Sequence, residues 1–117
     1  MASGPAAAIL DAQHPEGYWV KAGSGYYPKY RGTAWQIIFL AQLGADGSDP
    51  RVRRGCEYVL DHSRAPLPYG GFSASANASP SGLIHCLGGN LCAALLDLGR
   101  LGDLRLDQAL DWLARSV

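Results

Sequence analysis

The segment TAWQIIFLAQLG, residues 33–44, carries the clearest helix signal in the chain. Ile37, Leu40 and Ala41 recur at the spacing of one helix face, and Gly44 follows as a C-terminal stop. The pattern predicts an amphipathic helix that ends at the glycine. This helix also indicates the fold class, because no stretch of the chain gives a comparably strong signal for a strand.

A second helix is predicted directly after the first. Asp49 is a typical N-cap residue, and Pro50 suits the first position of a helix because its missing N–H is not needed there. Apolar residues continue at helical spacing to about Ser63. The two helices therefore predict an antiparallel hairpin over about 33–63.

The same pattern returns about 54 residues later. Residues 95–99 read LLDLG where residues 40–44 read LAQLG, and an aspartate begins the next helix in both places. A second hairpin is thus predicted over about 90–116, and the remnant of an earlier helix over about 4–13. The chain is predicted to be one all-α domain, built from antiparallel helical hairpin repeats of about 50–55 residues with long loops between them.

Composition narrows the function classes. Ten Lys and Arg residues balance ten Asp and Glu residues, which disfavours binding to nucleic acid or to an anionic membrane. No apolar stretch approaches the roughly 20 residues that span a bilayer, so no transmembrane segment is expected. The first five residues lack the basic region of a signal peptide, so we expect a cytoplasmic protein with reduced thiols at Cys56, Cys86 and Cys92.

Gln13, Gly17 and Trp19 lie in the segment LDAQHPEGYW, residues 10–19. This segment resembles the glutamine–tryptophan motif of squalene and other terpenoid cyclases, in which Gln, a short spacer, Gly, any residue and Trp follow one another. The resemblance implies a structural role, with the glutamine amide joining helix ends and the indole packing against a neighbouring repeat. A degenerate copy would have Ser63 in place of the glutamine and end at Gly70-Gly71-Phe72.

The resemblance extends to the α/α toroids of terpenoid cyclases and protein prenyltransferases, the prenyltransferase/squalene oxidase repeat superfamily. It implies inner helices at Thr33–Leu43 and Asn90–Leu98, and outer helices at Asp49–Ser63 and Asp103–Ser116. Two hairpins and a remnant are too few to close such a ring. We therefore expect an open, partial segment or fragment that exposes repeat faces and self-associates.

The toroid resemblance also implies a cavity lined by the inner helices. Its candidate lining residues are Tyr30, Trp35, His85, Cys86 and Asn90, and their aromatic rings suit an apolar or isoprenoid-like ligand. Ordinary packing of Trp35 in the core is the alternative. No catalytic residue is predicted, because residues 46–49 lack the Asp-x-Asp-Asp motif with which the cyclases protonate their substrate.

His85 and Cys86 form the sharpest chemical pair. In the prenyltransferases a similar position supplies a zinc histidine, so a zinc-dependent transferase that uses these two residues is one alternative function. The other ligands of that family, an Asp and a Cys, are missing from Thr33–Ile37. The favoured interpretation is that no metal or cofactor binds, that His85 caps or hydrogen-bonds near the helix start, and that Cys86 is buried.

The sequence therefore predicts a cyclase- or prenyltransferase-like repeat segment that is not catalytic on its own, from a protein whose full toroid binds an apolar ligand. A helical-repeat scaffold or protein-binding module is the main alternative. Both functions require the same helical fold, so they differ only in what contacts the inner helices.

Overall fold

A computed structural model of the chain describes residues 4–116. These residues form five α-helices and one short 3-10 helix, and no β-strand. The α-helices are α1 (Gly4–Asp11), α2 (Thr33–Gln42), α3 (Pro50–His62), α4 (His85–Asp97) and α5 (Leu104–Arg115), and the 3-10 helix is Pro80–Gly82. The prediction of an all-α chain is confirmed for this part of the sequence.

The ends of the helices follow from local chemistry. The Asp49 carboxylate accepts a hydrogen bond from the N–H of Arg51 at 2.8 Å, and the Asp103 carboxylate accepts one from the N–H of Arg105 at 2.9 Å. At the other end, α2 is followed by Gly44, whose φ of 73° is the left-handed conformation that glycine adopts without strain. The predicted caps at Asp49 and Gly44 are therefore confirmed.

The helices pack around one apolar core. Helix α2 packs against α3 and α4, while α5 packs against α4 and α3. The largest fully buried apolar side chains come from all four of these helices and from the loop before α4: Ile37, Leu40, Val52, Val59, Leu60, Phe72, Leu91, Leu95, Leu98 and Leu106. Helix α1 adds Leu10 at one edge of this core.

Helix α4 begins at His85, and the prediction of a start at about Asn90 is wrong. Gly88 and Gly89 argue against helix in the sequence, because glycine in a helix costs about 1 kcal/mol relative to alanine. In the structure Gly88 is buried, and a methyl group there would lie 3.2 Å from the Leu113 side chain. The glycine thus allows α4 and α5 to approach closely, and their packing extends the helix through it.

Two long loops, residues 12–32 and 63–84, connect the helices and bind each other. The Ser24 hydroxyl donates to the Ser75 carbonyl oxygen at 2.5 Å, and the Ser63 hydroxyl donates to the Ser24 carbonyl oxygen. Ser24 and Ser63 are both buried. The loops are therefore part of the packed structure, as their aromatic content predicts.

No helix among residues 4–116 has the length and apolar character required to cross a membrane.

Candidate functional site

The Gln13 side chain joins the first long loop to the beginning of α3. Its amide nitrogen donates to the carbonyl oxygen of Arg51 at 3.0 Å and to that of Gly17 at 3.2 Å. Arg51 lies in the first turn of α3, so the amide holds the chain that leaves α1 against α3. This is a structural role of the kind that the motif resemblance implies.

Gly17 is required by two independent features of the loop. Its φ of 108° is one that side chains rarely adopt, and a methyl group there would lie 2.8 Å from the carbonyl oxygen of Arg54. Gly55 of α3 is also closely packed, since a methyl group there would lie 2.9 Å from Ile37 and 3.2 Å from the Trp19 ring. The loop and α3 therefore meet backbone to backbone.

Trp19 completes this contact from inside the core. Its side chain is only 3% exposed, and its indole N–H donates to the carbonyl oxygen of Ile9 at 2.7 Å. Its backbone N–H donates to the hydroxyl of Thr33, the first residue of α2, at 2.9 Å. Trp19 thus joins α1 to α2 and does not line a ligand site.

In the second long loop Ser63 stands where the degenerate motif copy would have its glutamine, and its hydroxyl donates to the carbonyl oxygen of Ser24. The contact with α5 comes from the neighbouring Arg64. Its guanidinium donates to the carbonyl oxygen of Gly70 at 3.2 Å and to the side chain of Gln108 on α5 at 3.0 Å. Arg64 therefore joins the second long loop to α5, whereas Gln13 joins the first long loop to α3.

Trp35, Cys86 and Asn90 meet at a small cleft between α2 and α4. The cleft has a volume of about 60 Å³, and its remaining walls are Tyr26, Ile38, Ile84 and Leu87. Three of the five candidate cavity residues are therefore brought together. Ligand-enclosing pockets usually measure roughly 300–1,000 Å³, so this cleft can hold part of a ligand and cannot enclose one.

Aromatic rings surround Trp35 at the mouth of the cleft. The Tyr30 ring lies edge-on to it at 4.8 Å between centroids, and the Tyr26 and Phe39 rings lie at 5.5 and 6.4 Å. The indole N–H of Trp35 is bonded to the carbonyl oxygen of Tyr26 at 2.7 Å. Its polar atom is thus satisfied, and the remaining ring surface is apolar.

His85 lies elsewhere. Its ring stacks on Trp112 of α5, with centroids 4.9 Å apart, and its Nε2 lies 2.9 Å from the Ser116 hydroxyl. The helix N-cap is Ile84, which forms no side-chain capping bond. His85 therefore anchors α4 to α5, and neither caps the helix nor joins the other candidate residues.

Cys86 is exposed, so the expectation that it is buried is wrong. It lines the cleft between α2 and α4, with its sulfur 3.8 Å from the Asn90 amide nitrogen. Because His85 points towards α5, the two residues of the proposed zinc pair face different neighbours. Within residues 4–116 no three His, Cys, Asp or Glu side chains form a group that could hold a metal ion.

A feature that the sequence analysis missed continues from the cleft along both helices. Helix α2 contains no charged residue, and in α4 the only Asp, Glu, Lys or Arg is Asp97 at its end. The exposed or half-buried residues without charge on this side are Trp35, Gln36, Phe39 and Gln42 of α2, its C-cap Leu43, and Cys86, Gly89, Asn90, Ala93 and Leu96 of α4. We call this set the uncharged face. Listing charges helix by helix would have found it. The exposed Asp97 borders the face at the C-terminal end of α4.

Charges concentrate instead on α3, α5 and the turns that precede them. Arg105 contacts Asp61 at 2.7 Å, Glu57 at 2.9 Å and Asp103 at 2.6 Å. The hydrogen bond from the Arg105 side chain lowers the pKa of Asp103 to about 2, although partial burial opposes this shift. The pair α3 and α5 thus presents a solvated, ion-paired surface, opposite in character to that of α2 and α4.

The chain matches no protein-family model, no curated protein and no solved structure.

Proposed function

We propose that this chain is a helical-repeat segment of the α/α type found in terpenoid cyclases and protein prenyltransferases, and that its uncharged face forms one wall of a site for an apolar, isoprenoid-like ligand. The segment itself is not catalytic. The observation that carries the proposal is the low charge of two adjacent helices, in which Asp97 at the end of α4 is the only Asp, Glu, Lys or Arg and whose exposed sides include Trp35 and Phe39. Solvent-facing helices normally carry charged residues on the exposed side, so such a surface favours an apolar occupant.

Equivalent contacts at an offset of 54 to 55 residues support the repeat interpretation. The backbone N–H of Ala45 donates to the carbonyl oxygen of Leu40 at 3.0 Å, and that of Arg100 donates to Leu95 at 2.9 Å. These bonds close α2 and α4 in the same way. In both hairpins an aspartate then caps the following helix.

The loops and charges repeat as well. A methyl group on Gly70 would meet Gln108 at 3.2 Å, as one on Gly17 would meet Arg54. Arg105 pairs with an aspartate at the end of α3, and Arg51 of α3 pairs at 3.3 Å with Asp11 at the end of α1. The same kind of arginine–aspartate pair thus joins α1 to α3 and α3 to α5, which favours the interpretation of these helices as copies of one repeat.

The arrangement of neighbours supports the assignment of inner and outer helices. Helix α2 packs against α4, and α3 packs against α5, so the two first helices of the hairpins are adjacent and so are the two second helices. In this arrangement α2 and α4 are the inner helices, and the uncharged face is the one they turn towards the ligand. The cleft of about 60 Å³ is too small to enclose a ligand, so further walls must come from outside residues 4–116.

A charge placed on the uncharged face tests the proposal. Ala93 of α4 and Ala114 of α5 are both exposed helical alanines, so Ala93→Asp and Ala114→Asp form a matched pair. Farnesol, a neutral isoprenoid, is the probe, and its binding is measured by equilibrium dialysis. We expect Ala93→Asp to weaken binding at least tenfold, since a buried carboxylate against an apolar ligand loses its hydration, while Ala114→Asp stays within twofold of the wild type.

Equal effects of the two substitutions, or no farnesol binding by the wild type, would refute the ligand site. The second result would favour the scaffold alternative, in which the uncharged face contacts another protein. A zinc transferase receives no support, because His85 and Cys86 lie against different neighbours and no third donor among residues 4–116 joins them.

A further inference from the structure

Acidic residues are absent from two long segments of the chain, which together contain the whole uncharged face. Residues 17–45 and 62–96 include no Asp or Glu, and their Lys and Arg residues are Lys21, Lys29, Arg31 and Arg64. The acidic residues stand in the remaining segments: Asp11, Glu16, Asp46, Asp49, Glu57, Asp61, Asp97, Asp103, Asp107 and Asp111. The net charge of zero therefore conceals an uneven distribution of charge.

The uncharged face has a different surrounding at each of its two ends. Trp35 near the start of α2 and Cys86 near the start of α4 line the same cleft, so the N-terminal ends of both helices meet there. At the other end, a methyl group on Gly47, beyond α2, would overlap the carbonyl oxygen of Leu98, the C-cap of α4. Helices α2 and α4 therefore run in the same direction, with the cleft at one end of the face and the exposed Asp97 at the other.

Lys29 lies beside the mouth of the cleft. Its Nζ is 5.2 Å from the centre of the Tyr30 ring, and that ring is edge-on to Trp35 at 4.8 Å between centroids. Lys29 is exposed and forms no ion pair with a residue among 4–116. An anionic group at the mouth of the cleft would thus meet a cation that no described carboxylate already holds.

Lys21 lines a second groove that adjoins the cleft. This groove has a volume of about 110 Å³, and Tyr27 is another of its walls. The Tyr27 ring lies 4.9 Å from the ring of Tyr26, which is a wall of the cleft, so the two grooves are neighbours across this aromatic pair. Lys21 is also exposed and not ion-paired within the described part of the chain. The second groove therefore offers room and positive charge to a small anionic group.

We propose that the ligand of the uncharged face is an anionic amphiphile with a single apolar chain. The chain lies along α2 and α4, and a carboxylate or phosphate head group occupies the groove beside Tyr27, where Lys21 and Lys29 supply positive charge. The opposite direction is disfavoured, because Asp97 repels an anion at the other end of the face. The inference rests on the ligand site of the proposed function and adds to it the head group and its direction.

Two ligands with the same chain test the head group. Farnesol is neutral, whereas farnesoic acid carries a carboxylate at pH 8, and equilibrium dialysis measures the binding of both at low ionic strength. We expect the wild type to bind farnesoate about fivefold more tightly than farnesol, the order expected for exposed ion pairs, and to lose this preference at high ionic strength. Equal affinities, or displacement of farnesoate by equal concentrations of acetate, which has no chain, would overturn the proposal.

Neutral substitutions locate the cations. Lys21→Gln/Lys29→Gln removes two positive charges from the acid-free end, and Arg53→Gln/Arg54→Gln removes two from exposed positions of α3 that form no ion pair within residues 4–116. We expect the lysine variant to bind farnesoate no more tightly than farnesol, while the arginine control keeps the preference. An equal loss of preference in both variants would indicate an effect of net charge alone and contradict the proposed head-group site.

Spin-labelled stearates test the direction of the chain. A nitroxide at carbon 5 lies near the carboxylate, and one at carbon 16 lies near the other end of the molecule. We expect the first label to broaden the amide signals of Tyr27 and Tyr30, and the second to broaden those of Gln42 and Leu43. The reverse pattern would place the head group near Asp97 and contradict the proposal.

The dialysis measurements separate this inference from the ligand site itself. Farnesol binding without a preference for farnesoate would leave the uncharged face as a ligand site and overturn only the anionic head group. Absence of binding by both ligands would overturn the ligand site and the inference together.

Discussion

The Gln13 amide nitrogen lies 3.0 Å from the carbonyl oxygen of Arg51 and joins the loop after α1 to the first turn of α3. The glutamine is partly buried, and the same amide nitrogen also donates to the carbonyl oxygen of Gly17 at 3.2 Å. The segment from Gln13 to Trp19 is therefore a structural joint among α1, α2 and α3. Its substitutions are expected to change stability and to leave the uncharged face unaltered.

Gly17→Ala tests this joint. The substitution combines a left-handed backbone with a methyl group 2.8 Å from the Arg54 carbonyl oxygen, so we expect a loss of about 2–3 kcal/mol in the free energy of unfolding. Urea unfolding followed by circular dichroism measures it. The control is Gly89→Ala in α4, where a methyl group meets nothing within 4 Å and which should stabilise the chain by about 0.5–1 kcal/mol. Similar changes in the free energy of unfolding of the two variants would contradict the structural role of the segment from Gln13 to Trp19.

The free energy of unfolding is expected to depend on pH through Asp103. Its pKa is lowered from about 4 to about 2, first by the hydrogen bond from the Arg105 side chain, so the folded state favours the charged carboxylate. This contribution is fully present above about pH 4 and is lost as the pH falls through about 2, with a magnitude of roughly 1–2 kcal/mol. Asp103→Asn keeps an N-cap acceptor but loses the charge. We expect its free energy of unfolding to fall less than that of the wild type between pH 5 and pH 2; parallel curves would show that Asp103 does not contribute.

The three thiols should react very differently. Cys86 is exposed, whereas burial raises the pKa of Cys56 and of Cys92 to about 11. At pH 8 we expect one thiol per chain to react rapidly with a chromogenic disulfide, and the other two to react only as the protein unfolds. Cys86→Ser should remove the fast phase, and farnesol should slow it in the wild type. Two fast thiols in the native protein would contradict the described position of α4.

Local signals explain which parts of the fold were predictable. The ends of α2, α3 and α5 depend on Gly44, Asp49 and Asp103, whose backbone preferences act within a few residues. The start of α4 depends on contact between Gly88 and Leu113, which a local pattern does not contain. Tertiary packing therefore overrode the low helix propensity of glycine.

The candidate site was predicted in part for a related reason. Trp35, Cys86 and Asn90 were identified and do meet at one cleft, but the direction of His85 depends on where Trp112 and Ser116 lie. The contact between Arg64 and Gln108 was not predicted, because it joins two side chains that are far apart in the sequence.

The most direct test of the central claim is the ¹H–¹⁵N spectrum of the labelled chain during titration with farnesol. The account predicts saturable shifts of the Trp35 indole, the Asn90 side-chain amide and the backbone amide of Ala93, with the signals of α3 and α5 unchanged. Shifts centred on α3 or α5, or no shifts at farnesol concentrations that remain monomeric in solution, would contradict the proposal that the uncharged face binds an apolar ligand.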